Sequence, residues 1–243
     1  MIFDASQFVF EAPKAISRAR RVLIKPNATY GAPYPVSTSP QMITTIIEGI
    51  RKASDADIIL LEGTPNNSPV EPLFRKLGYN FPRILTLDVK DSIWVEVENP
   101  LAKPLMVPTF WVPNVILSSD YLISVTPMKI VNKQPHFTLM NLLSLLPVSK
   151  YKGDAPSGWR TLYELGIDKV IADLYFTLPF DLGVVDARQI FMSTDNPVQG
   201  KTEEYGKIIA GEPYEVDREA AQVSGNSSGY LAMIESGKSE LEA

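Results

Sequence analysis

The 243-residue chain contains no cysteine. That single absence excludes disulfides, cysteine-ligated zinc, iron–sulfur clusters and thiolate nucleophiles, and leaves the redox compartment unread. Histidine is nearly absent as well, with His136 alone. No multi-histidine metal site can form, and a metal held by this chain would take mostly oxygen ligands, which favours magnesium, calcium or manganese. Positive charge is in deficit: 23 Lys and Arg stand against 28 Asp and Glu, a net charge of -5. This argues against the broad basic face that nucleic-acid binding requires. Long apolar runs are missing too, none approaching the roughly 20 residues of a membrane span. The opening "MIFDASQFVFEAPKAISRARR" carries its positive charge after its apolar residues, the reverse of a secretory signal. The expected setting is cytoplasmic and soluble, with neither a nucleic acid nor a membrane as partner.

What is present is ordinary for a globular protein: 45% hydrophobic and 21% charged residues. A chain of this size buries roughly 70–75% of its unfolded surface and needs no covalent or metal staple. One α/β domain over residues 1–243 is expected, with 226–243 forming a C-terminal helix.

Val22, Leu23 and Ile24 form a short unbroken apolar run of the kind found in strands covered on both faces. Ser39 and Pro40 then resemble an N-cap and first helical residue, and Met42, Ile43, Ile46, Ile47 and Ile50 recur at helical spacing. "DIILLEG", Asp57 to Gly63, is another buried strand. Strand, helix, strand in this order predicts a right-handed crossover and parallel pairing. A short helix around 70–77 and a strand at 83–88 extend the series, and "DYLISVT" (120–126) and "DLGVVDA" (181–187) add further strands. The segment 92–112, with alternating "IWVEVENP" and several prolines, predicts a small antiparallel β-rich insertion. Residues 137–146 are apolar without a deciding period, and 159–175 reads as a helix interrupted at Gly166. A polar loop, a short strand "KIIAGEP" and two helices complete the chain. The fold class is α/β: a mainly parallel sheet with flanking helices joined by Rossmann-like crossovers, plus the insertion.

In open parallel sheets ligands bind outside the carboxyl ends of the strands. The residues there are Lys25 and Asn27, Glu62, Lys129 and Asp186. Lys25 is expected to turn its ammonium into the crevice, with Pro26 ending the ladder. Ser37 and Thr38 add hydroxyls beside a helix N-terminus, an arrangement suited to an anion. A Lys25→Met variant is then expected to lose its ligand and keep its stability. His136 is a candidate acid–base group with no Asp or Glu within four residues, and a structural role competes with that reading. Asp186 and Asp217 could reach a divalent cation such as magnesium through oxygen, although Asp217 sits inside a predicted helix beside Arg218. "GTPNNSP" lacks the spacing of a nucleotide-binding fingerprint.

The ordered set "LIKPN", "TSP", "LLEG", "LISVTPMK", "TLMNLLSLLP", "IADL", "DLGVVDA" and "QGKTEEYGKIIAGEPYEVDREAAQVSG" resembles the family named domain of unknown function 362, over about residues 21–225. The resemblance implies a mixed α/β domain without an activity to transfer. Longer members carry ferredoxin-like cysteine modules, for which this chain has no residues. Members commonly show a lysine, threonine, histidine string where Lys129 is followed by Ile130 and Val131, and a lysine where Met140 precedes Asn141. Two readings stand. In one, Lys25 and Lys129 bind a small carboxylate or phosphate metabolite, Asn27 and Asn141 orient it, and Glu62 or Asp186 serves as base or as ligand for a divalent cation, with His136 a further acid–base candidate. In the other, the protein is a non-catalytic binding or assembly protein that retains the fold.

Overall fold

The computed structural model describes residues 1–178 and 180–241. In chain order its first half comprises β1 (Ile2–Asp4), β2 (Arg21–Lys25), α1 (Pro40–Ala53), β3 (Asp57–Glu62), α2 (Glu71–Leu77), β4 (Ile84–Asp88), β5 (Trp94–Glu98), β6 (Thr109–Pro113) and α3 (Asn114–Leu117). The second half comprises β7 (Tyr121–Val131), β8 (Gln134–Pro135), α4 (Val148–Tyr151), α5 (Arg160–Glu164), α6 (Ile167–Thr177), β9 (Leu182–Ser193), β10 (Lys201–Gly211), α7 (Pro213–Ser224) and α8 (Gly229–Leu241).

The main sheet runs β1-β10-β9-β7-β2-β3-β4, with β9, β7, β2, β3 and β4 parallel and the β10 edge antiparallel. Alternation along β2 sends Val22 and Ile24 to one face, in the cluster that includes α1, and Leu23 to the other, in the cluster that includes residues of 137–146, α6, α7 and α8. Both faces are therefore covered, which explains the unbroken apolar run. Helix α1 begins where expected: Ser39 Oγ accepts from Met42 N at 3.1 Å, and Pro40 occupies the first turn. The crossover through α1 leads from β2 outward to β3, whereas β7 lies on the other side of β2. A topological switch point thus falls between β2 and β7, where open α/β sheets form their ligand crevice.

The insertion at 92–112 is the separate antiparallel pair β5–β6. The ambiguous apolar run contains a 3-10 helix, Met140–Leu145. Two strands exceed their sequence-predicted ends. β7 continues past Thr126 because its register shifts between Pro127 and Met128, so the proline's missing N–H falls at an irregularity and Met128–Val131 pair onward with Ile190–Ser193. The expected polar loop after Ala187 is largely the β9–β10 ribbon, whose outer residues Lys201–Glu204 are exposed; their polarity hid their pairing.

Candidate functional site

Lys25 ends β2 inside the protein, fully buried, as an ion pair with Glu62 at the end of β3: Nζ lies 2.8 Å from Oε1. Lys25 Nζ also donates to the Pro26 carbonyl at 2.6 Å and to Asn141 Oδ1 at 3.2 Å. Glu62 Oε1 accepts from Ser144 Oγ at 2.7 Å and Gly63 N at 2.9 Å, and Oε2 from Ala28 N at 2.7 Å. Burial pulls the Lys25 ammonium below the usual lysine range, and Glu62 opposes the fall. The pair is closed, with each charge satisfied by the other and by fixed dipoles. Gly63 permits the arrangement: a Cβ there would lie 2.4 Å from the Ser144 carbonyl oxygen.

Lys129, from the extension of β7, has a different environment. It is 1% exposed, and its Nζ donates to Asn27 Oδ1 at 3.3 Å and the Val36 carbonyl at 3.2 Å. Among the described residues no carboxylate oxygen lies within 4.0 Å of it. Burial pulls Lys129 down to about 8, with Glu62 opposing and Lys25 assisting. The ammonium lies 5.6 Å from the centroid of the Tyr30 ring.

A cavity of about 60 Å³ opens beside Lys129. Its polar wall is Asn27, Thr29, Lys129, His136, Asn141 and Ser144; its apolar wall is Tyr30, Met140, Leu143, Trp159 and Tyr163. Asn141 spans the switch point, its Nδ2 donating to the Lys25 carbonyl on β2 and to Ser124 Oγ on β7, both at 3.2 Å. Burial pulls His136 down to about 3, and the Lys129 charge adds to the effect, so the imidazole is neutral at physiological pH. Such a volume is far below the roughly 300–1,000 Å³ of sites that enclose drug-sized ligands. A larger hollow of about 440 Å³ lies at the opposite strand ends among Arg20, Arg21, Asp57 and Asp120, where the charges are largely solvated.

Other expected site residues lie elsewhere. Thr38 Oγ1 joins the loop to the sheet, donating to the Val125 carbonyl and accepting from Asn27 N, both at 2.8 Å. Ser37 Oγ is buried with no hydrogen-bond partner among the described residues. Asp186 forms an ion pair with Arg188, Nη2 to Oδ2 at 2.6 Å, and accepts from Tyr34 OH and Ser39 Oγ at 3.2 Å each. Asp217 accepts from Thr138 Oγ1 at 2.6 Å, Thr138 N at 2.8 Å, Leu139 N at 3.0 Å and Tyr230 OH at 2.8 Å. Burial holds its carboxyl up at about 6 against these donors. It braces the start of the segment that carries Asn141.

The expectation that Lys25 faces the crevice is corrected: Lys25 and Glu62 do not line the cavity, because their mutual attraction and shared donors enclose them. Nor do Ser37, Thr38, Asp186 and Asp217 line it, and the two aspartates are held by different partners instead of sharing a cation. Among the described residues no cluster of three or more Asp, Glu or His gathers as a metal site. Asn27, Lys129, His136 and Asn141 do come together. Thr29, Tyr30, Ser144 and Tyr163 were not singled out in the sequence; the first two share the loop of Asn27, and the others arrive by tertiary packing alone.

The architecture and the cavity define an α/β protein with a small, polar-walled site at the switch point of a mainly parallel sheet. The family model described as "Domain of unknown function (DUF362)" matches residues 22–222, and the chain belongs to that family. Among solved structures, the lactate racemase apoprotein from Thermoanaerobacterium thermosaccharolyticum is similar at 12% identity and a TM-score of 0.55. The match covers 90% of this chain and 53% of that one, so this chain spans about half the length of that protein. No curated protein matches the chain. No helix among the described residues is long and apolar enough to cross a membrane.

Proposed function

We propose that this protein binds a small anion, a carboxylate or phosphate compound, at the carboxyl ends of β2 and β7. The observation that carries the reading is Lys129, a buried ammonium on a cavity wall whose hydrogen-bond partners among the described residues are neutral oxygens. A buried charge without a counter-charge is costly, and an anion in the cavity removes that cost. The cavity volume favours a molecule of a few heavy atoms. The structural neighbour is named a lactate racemase, and lactate is an anion of that size.

The test is a thermal-shift series with acetate, propionate, lactate and inorganic phosphate, compared with Lys129→Met. At least one anion is expected to raise the melting temperature of the wild type and not of the variant. No rise with any of them, or an equal rise in both proteins, would overturn the reading.

A second reading, binding without turnover, has its own support. Among the described residues no carboxylate lines the cavity, and a neutral His136 is a weak base. It predicts that lactate incubated with the protein in deuterated water keeps its Cα proton by NMR; exchange at that carbon would exclude it.

A further inference from the structure

Four features of the Lys129 environment go beyond anion binding. First, the amine is enclosed: it is 1% exposed and lines a cavity of about 60 Å³. Second, its two hydrogen bonds go to the neutral oxygens of Asn27 and Val36, so none depends on its being charged. Third, the charged groups that act on it are Lys25 and Glu62, and these two are already paired with each other at 2.8 Å. Fourth, donors around it are free. Among the described residues Asn27 Nδ2, Thr29 Oγ1 and the ring nitrogens of His136 have no hydrogen-bond partner inside the protein, yet their residues line the cavity.

We propose that Lys129 is a nucleophilic amine that forms an imine with the carbonyl group of a small 2-oxo carboxylate bound in this cavity. The Nζ lone pair attacks the carbonyl carbon, and the carbonyl oxygen takes a proton to give a carbinolamine. That hydroxyl leaves as water with the second amine proton, producing a carbon–nitrogen double bond; no oxidant or reductant is needed. Asn27 Nδ2, Thr29 Oγ1 and a neutral His136 N–H then hold the carboxylate that the ammonium first attracted. Enclosed lysines whose charge is disfavoured by burial and by a neighbouring cation are the ones suited to this chemistry. With Lys129 drawn down to about 8, the unprotonated amine at neutral pH is on the order of a hundredfold more abundant than for an exposed lysine near 10.4.

The inference rests on the anion reading, and one experiment separates them. The protein is incubated with pyruvate or glyoxylate, the imine is trapped with sodium cyanoborohydride, and the modified lysine is located by peptide mass spectrometry. The melting temperature is measured in parallel with propionate, which has no carbonyl. Reductive labelling is expected at Lys129 well before the exposed Lys103 and Lys133, and not at position 129 of Lys129→Arg, which keeps the charge. Labelling spread evenly over surface lysines, or none, while propionate still raises the melting temperature, would overturn the imine and leave anion binding standing. Absence of both the label and the propionate shift would remove both. Because the label is mapped in the wild type, the result does not depend on a variant that folds.

Discussion

Replacing Lys25 by Met removes one charge of a fully enclosed pair and strands Glu62 without its counter-ion. Losing one partner of such a pair costs about 3–5 kcal/mol, so the denaturant midpoint of Lys25→Met should fall steeply. This replaces the expectation that the variant keeps its stability. Lys129→Met should behave in the opposite way, with its midpoint maintained or raised, since methionine fills the space without a buried charge. The Lys129 charge also makes stability depend on pH. With a folded value of about 8 and an unfolded value near 10.4, the unfolded chain binds more protons on Lys129 between those limits. Lys129 therefore makes stability rise with pH from about 8 to 10.4, by up to about 3 kcal/mol, and at lower pH its charge is a constant cost. Urea titrations of wild type and Lys129→Met across that window should converge as pH increases; parallel curves would refute the buried-ammonium account.

At the scale of elements, the site depends on where the 3-10 helix Met140–Leu145 sits, and two contacts fix it. Gly63→Ala would drive a Cβ toward the Ser144 carbonyl, displacing the helix or the end of β3. Overpacking of this kind costs typically 1–3 kcal/mol, and propionate binding should weaken with it. Asp217→Ala would leave the buried amides of Thr138 and Leu139 without acceptors, at about 1–3 kcal/mol each when unsatisfied. Asp173 plays a comparable part elsewhere on the molecule, accepting from Leu105 N at 2.9 Å, Met106 N at 2.7 Å and Val107 N at 2.8 Å, so that α6 grips the connection between β5 and β6. The α1 cap was legible because Ser39, Pro40 and the isoleucine spacing are local signals. The β9–β10 ribbon was not, since exposed polar residues read as loop whether or not their backbones pair.

For the whole molecule, ligand binding should act through mass action. A ligand at a hundred times its dissociation constant adds about 2.7 kcal/mol, a rise of roughly 5–10 °C for a domain of this size. Protection from hydrogen exchange should be greatest in β2, β3 and β7, buried on both faces, and least in β5–β6, a two-stranded pair with exposed residues. An equal exchange rate in β2 and β5 would contradict this order.

The sequence by itself determined the parallel strands, the crossover through α1 and the polar groups at the strand ends, because apolar continuity, helical spacing and capping residues act over a few neighbours. It also determined the exclusion of all cysteine chemistry. Only the tertiary structure decided which lysine is neutralised. Lys25 and Glu62 are 37 positions apart in sequence yet end adjacent strands, and Asn141 comes from beyond β7 to close the same group. Among the described residues Lys129 has no such carboxylate, because it stands on an extension of β7 beside Asn27 and Val36, past the end of β3. Pairing of charges depends on distances of a few ångströms set by strand order, and nothing in the spacing along a chain encodes them.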